Sequence, residues 1–275
     1  MTPYELMIKT NHYLIQGGVL SASQKANITN QFLSNRSSGQ AAEKFYAGVK
    51  YPNNIDAEKR RMYPIFFIPP YNDGKKLQTV IPLSPKTHIL SANAYELEII
   101  RLLYLFAPDH TIVQGMVTKT LERLKTTCFG YQDCAVGECF HSALIVLRFL
   151  AAAAPAEREW ISKLLAFFKR HMEEKLLHRG KGIHSNVLWY YWLCLSELPL
   201  PLAEPEILRY RDRIVGQLSR SSVMNSENDK TNHPVMICAI RNTLSRLTEY
   251  AYIQHRTPYV SEKDNRLHFD MNPAL

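Results

Sequence analysis

The densest run of reactive side chains in the sequence is Cys128, Asp133, Cys134, Glu138, Cys139 and His141, six metal-type or proton-carrying groups within 14 residues. Zinc takes thiolate, imidazole and carboxylate in a tetrahedron, and a catalytic zinc keeps three protein ligands and one open position. With His184 added from further along the chain, Cys139, His141 and His184 are the expected ligands. Zn²⁺ is therefore the one cofactor these residue types point to. Without a metal, His141 and His184 are the candidate acid/base groups, with Glu138 beside them. A Cys139–His184 nucleophile pair requires the two to meet across the fold. Glu96, Glu98, Asp133 and Glu138 also admit carboxylate chemistry of the glycosidase type. The bland alternative stays open: buried cysteines act as small hydrophobes, and a histidine at a helix start often only bonds a loop carbonyl. The sequence has no GxSxG, GxxxxGK[ST] or GxGxxG, so hydrolase-elbow, P-loop and dinucleotide readings find no support.

These groups stand at the starts of apolar helices. From Ala143 to Ala154 only Arg148 is charged, the pattern of a helix enclosed by other helices. After Pro155, Trp160, Leu164, Phe167, Phe168, Met172 and Leu176 recur at three- and four-residue steps among charged residues, which predicts an outer helix with one wet face. The pair recurs, with an apolar His184–Leu193 stretch followed by an amphipathic Ile207–Leu218 run. His141 and His184 lie 43 residues apart, His184 and His233 49, and Arg101 and Arg148 47. A period in the forties with two helices per unit is a helical-repeat signal. Tyr4-Glu5-Leu6-Met7-Ile8 and Tyr13-Leu14 also match Tyr95-Glu96-Leu97-Glu98-Ile99 and Tyr104-Leu105 at a single offset of 91 residues.

Alternating inner and outer helices with polar residues at inner-helix starts resemble the α/α-toroid superfamily, which includes protein prenyltransferase β-subunits and terpenoid cyclases. The run Glu138-Cys139-Phe140-His141-Ser142 is loosely similar to the prenyltransferase zinc helix, where an acid and a cysteine precede an aromatic residue. The resemblance is architectural and spans Asn93 to Tyr250. It implies an incomplete α/α toroid or a curved solenoid, with a pocket at the N-terminal ends of the inner helices. There His141, His184 and His233 share one rim, Trp189 and Tyr190 line it, and Arg101 and Arg148 need buried partners or a bound anion. Glu96 and Glu98 are the available carboxylates. The ligand is then a small molecule; the alternative is a non-enzymatic scaffold that grips a protein partner on its concave face.

The rest of the chain is read around those helices. Residues 1–50 predict N-terminal helices: Pro3 opens the first, Gly17-Gly18 stops it, and Ser21 or Ser23 caps a second. Residues 51–92 are rich in proline, and Pro64–Ile68 and Leu77–Ile81 flank Asn72-Asp73-Gly74, the composition of a β-hairpin. Residues 93–252 hold the repeats, with 219–232 expected as a polar loop, and 253–275 read as a second small hairpin. The whole is one all-α domain with two β-hairpin arms.

Hydrophobic residues make up 46% of the 275, enough for a sizeable core. No segment has the length of apolar sequence a membrane span needs, and Met1-Thr2-Pro3-Tyr4-Glu5 lacks the pattern of a signal peptide, so a cytoplasmic protein is expected. Five cysteines, an odd number, argue for free thiols or metal ligands over disulfides. The net charge of +8 is scattered without a Lys/Arg block, so nucleic acid is not the expected partner.

Overall fold

The computed structural model describes residues 1–37, 64–66, 68–72, 77–82, 88–131, 139–177, 185–219, 227–255, 259–260 and 267–268. Apart from one short ladder, the irregular residues between 64 and 82 and the connecting turns, they form helices. The first two follow their caps. Thr2 and Glu5 close a reciprocal capping box at the start of α1 (Pro3–Ile15), and Ser21 and Gln24 do the same for α2 (Ala22–Ser34). Between them Gly17 takes a φ of +87°, a left-handed turn that a side chain would strain.

Next come α3 (His88–Phe106), α4 (Thr111–Leu124), the single turn α5 (Cys128–Tyr131), α6 (Cys139–Ala153) and α7 (Arg158–Leu177). They are followed by α8 (Ser185–Glu197), α9 (Leu200–Arg209), α10 (Arg211–Ser219), α11 (Glu227–Leu244) and a 3₁₀ segment, Thr248–His255. Tyr259–Val260 pairs antiparallel with Leu267–His268.

Three boundaries differ from the sequence reading. α3 starts at His88, inside the stretch assigned to the arm, because no proline follows Pro85 to forbid it. The amphipathic run after Pro201 breaks at Tyr210 into α9 and α10. α11 begins at Glu227, so residues 227–232, expected as loop, are its first turns.

α1, α3, α6, α8 and α11 are the inner helices, and pairs of contacts fix their directions. The Tyr4 and Tyr95 rings lie 6.3 Å apart and Arg101 Nη1 reaches Asn11 Oδ1 at 3.3 Å, so α1 runs parallel to α3. Cys194 Sγ bonds Leu144 O at 3.2 Å and Arg148 Nε bonds Glu197 at 2.9 Å, so α6 and α8 are parallel. Tyr190 with Glu98 and Glu197 with Arg101 align α8 with α3. Thr243 with Trp192 and Arg246 with Leu195 align the end of α11 with α8.

α3 packs on α6, α6 on α8 and α8 on α11, while α1 touches both α3 and α11. The outer helices α4, α7 and α9 pack against α3, α6 and α8, α10 against α11, and α2 against α1 and α3. Leu144, Leu147, Phe149, Trp192 and Ile240, at 0–1% exposure, show how dry the interior is. Each such side chain contributes about 1.5–3 kcal/mol relative to exposure.

The described arm residues take no ladder. Their backbone groups are satisfied by helices instead: Glu96 Oε2 and Oε1 accept the N–H groups of Ile65 (3.0 Å) and Phe66 (2.8 Å), and His12 Nε2 donates to Val80 O (2.9 Å). Tyr4 Oη accepts from Gln78 N, and Asn186 Nδ2 donates to Pro82 O at 2.7 Å. Ile68, Val80 and Ile81 are buried to 1% or less. The arm thus lies along α1, from Tyr4 in its first turn to His12 in its last, and reaches Asn186 at the start of α8. Asn72-Asp73-Gly74 lies partly outside the described residues.

Candidate functional site

The parallel inner helices bring one ionic group together at their centre. From α6, Arg148 Nη1 meets the Glu98 carboxylate of α3 at 2.7–2.8 Å, and its Nε and Nη2 clasp both oxygens of Glu197 from α8 at 2.9 Å. From α3, Arg101 Nη2 adds a 2.7 Å contact to Glu197. Tyr190 donates its hydroxyl to Glu98. Arg148 and Glu98 are 1% exposed. Burial alone would drive the Arg148 proton off, but Glu197 and Glu98 outweigh it and hold the guanidinium well above its ordinary range. Burial likewise opposes the charge of Glu197, and Arg101 and Arg148 together pull it below the usual carboxylate range. Burial pushes up both Tyr190 and Cys194, with Glu98 and Glu197 adding to the effect. Such a cluster locks helices together and is poorly suited to passing protons near neutral pH.

Directly over Glu197 lies a cleft of about 630 Å³. Leu14, Ile15 and Gly17 wall it from the end of α1, Leu193 and Ser196 join Glu197 from α8, and Arg241, Asn242, Ser245 and Arg246 close it from the end of α11 and just beyond. Its place is therefore the C-terminal end of the inner helices, whereas the sequence pointed to the N-terminal end. The segments that lead into α6, α8 and α11, at the N-terminal rim expected from the sequence, lie outside the described residues. A carbonyl-rich C-terminal rim carries partial negative charge, and the lining answers it. Arg246 Nη1 donates to Leu195 O at 2.7 Å and to Leu198 O, and Asn242 Nδ2 donates to Ile15 O at 2.9 Å.

The residues singled out by sequence fall in several places. Arg101, Arg148 and Tyr190 are in the ionic centre, their polar groups taken up chiefly by Glu98 and Glu197. Trp189 is half-buried on α8 with no partner at its Nε1. His141 is the third residue of α6, half-buried, its ring edge-on to Phe140 with centroids 6.3 Å apart. His233 is the seventh residue of α11, two turns from the start, so it does not hold the helix-start slot expected of it. Glu138 and His184 lie outside the described residues.

Of the expected zinc ligands, Cys139 lies with its Sγ 3.7 Å from Cys128 Sγ. Among the described residues no group of three His, Cys, Asp or Glu side chains is arranged to hold a metal. Among the described residues Cys128, Cys139, Cys194 and Cys238 form no disulfide.

Glu197, Arg241, Asn242 and Arg246 were not singled out by sequence reasoning. A signal existed for two of them. Glu98, Arg148, Glu197 and Arg246 follow one another at steps of 50, 49 and 49 residues, alternating in charge along successive inner helices. No protein-family model, curated protein or solved structure matches the chain. Among the described residues no helix is long and apolar enough to cross a membrane.

Proposed function

We propose that the chain is a ligand-binding protein built as a small α/α toroid, and that it takes a small molecule at the C-terminal end of its inner helices. Support for the toroid comes from parallel inner helices with α1 packed on both α3 and α11. An array returning on itself in this way leaves less open concave face for the rival reading, a scaffold around a protein partner.

The observation that carries the pocket is the cleft itself. At about 630 Å³ it has the size of a small-molecule site. Its lining combines apolar residues (Leu14, Ile15, Leu193) with Ser196, Arg241 and Arg246, and Glu197 in the same lining belongs to an ionic centre that ties three helices together. Preformed walls of mixed polarity favour a ligand with a charged and an apolar part.

The test is a thermal-shift screen of the purified chain against a metabolite library, repeated with Ser196→Leu to fill the cleft. Compounds that raise the melting temperature of the parent protein, and lose that effect with Ser196→Leu, support the reading. A parent protein unmoved by every compound, or hits indifferent to the substitution, would sink it.

A further inference from the structure

Building on the pocket reading, we infer that the ligand is an amphipathic anion, a carboxylate or phosphate ester with an apolar body, whose charged head is held by Arg246 beside Arg241. Glu197 is the one carboxylate among the described lining residues, and both its oxygens are taken by Arg148 and Arg101. It has little left to offer a cation.

Arg246 is the opposite case. It is half-buried, and from a single nitrogen, Nη1, it donates to two neutral carbonyls at the end of α8. A guanidinium has five N–H donors in a planar fork suited to carboxylate and phosphate. No described carboxylate pairs with this one, and burial, with no acid opposing it, pulls its proton affinity below the ordinary arginine range. An anion would relieve that cost.

The usual objection to an anion here is the convergence of helix C-termini. In this cleft two carbonyls at the end of α8, those of Leu195 and Leu198, and the Ile15 carbonyl of α1 are already bonded by Arg246 and Asn242. The protein thus answers part of that negative charge before any ligand arrives. Leu14, Ile15 and Leu193 in the same lining supply a place for the body of the ligand.

Phenyl phosphate, benzoate and the neutral benzyl alcohol are suitable probes, titrated calorimetrically into the full chain at constant ionic strength set with chloride. The expected result is binding of at least one anion, weakened about tenfold or more by Arg246→Gln, the scale of one lost charge-assisted bond, and partly retained in Arg246→Lys. The two anions distinguish phosphate from carboxylate as the preferred head. Should Arg246→Gln disturb the end of α8, as circular dichroism would show, Arg241→Gln gives the same reading from the neighbouring arginine.

Benzyl alcohol binding as well as both anions, or anion binding indifferent to both arginine variants, overturns the inference and leaves the pocket standing. Should neither these probes nor any compound of the library screen bind, the pocket reading falls with it.

Discussion

Glu96 and Glu98 stand two residues apart on α3, both buried (7% and 1% exposed), yet they face different ends of the problem of keeping a carboxylate dry. Glu98 is answered by a full charge, the Arg148 guanidinium, and by the Tyr190 hydroxyl. Glu96 is answered by dipoles, the N–H groups of Ile65 and Phe66, with Arg123 acting from further off. For Glu96 burial wins: its proton affinity is pushed up to about 7, because desolvation exceeds the help of those bonds. The difference separates a lock from a clasp. Glu98 ties helix to helix in the centre, and Glu96 ties the arm onto the helices.

The largest expected effect tests the lock. Arg148→Met leaves Glu98 fully buried without its guanidinium and strips Glu197 of a bidentate partner, and removing one side of a buried ion pair costs about 3–5 kcal/mol. Arg148→Lys should recover only part of this, because a point-like ammonium cannot span two carboxylates as a planar fork does. Urea unfolding of both variants measures it. A loss under about 1 kcal/mol for Arg148→Met, the scale of an exposed pair, would mean that the centre is not holding the helices.

The clasp should cost less and carry a pH signature. Glu96→Gln keeps one acceptor oxygen but turns an NH₂ toward one of the two arm N–H groups, a mismatch of about 1–3 kcal/mol. In the parent protein, the folded chain holds the Glu96 proton up to about pH 7, while the unfolded chain releases it near the ordinary value of 4.5. Between those values the folded state binds more protons, so this group's contribution is full below pH 4.5 and declines as pH rises toward 7. Unfolding curves at pH 5, 6, 7 and 8 should show that decline in the parent protein and its loss in Glu96→Gln. Identical pH profiles would place the clasp elsewhere.

The sequence showed the lock more readily than the clasp, for a physical reason. Arg101 and Arg148 sit in apolar helices, so burial and the need for partners follow from pattern alone, and Glu98 is one of the candidates named. Glu197 escaped because it closes α8 beyond the apolar run, where a charged residue reads as a helix end. Pro3, Gly17-Gly18 and Ser21 mark α1 and α2 through local capping chemistry, which needs no tertiary context. The 91-residue match of Tyr4 with Tyr95 coincides with spatial proximity, since those rings lie 6.3 Å apart and Asn11 meets Arg101 at a nearby offset of 90. The arm failed that kind of reading. Its hairpin-like composition sets the apolar character of Ile68 and Val80, which are buried, but the partners of its backbone are Glu96, His12 and Asn186, contacts between residues 30 to 104 positions apart that no local pattern encodes.

The smallest expected effect sets the baseline for both. Lys125 and Glu157 also pair, at 3.4 Å, but with side chains 48% and 39% exposed. Water solvates both partners in the folded and unfolded states, so neither the desolvation cost nor the low-dielectric gain of the buried pairs applies, and such bridges are worth about 0–1 kcal/mol. Lys125 keeps a second contact in any case, over the Trp160 ring at 5.6 Å to its centroid. Glu157→Gln should therefore change stability by at most about 0.5 kcal/mol, and raising salt should shrink even that. If its loss in urea unfolding approached that of Glu96→Gln, burial would not be what distinguishes these pairs, and the contrast between lock and clasp would have to be drawn from geometry alone.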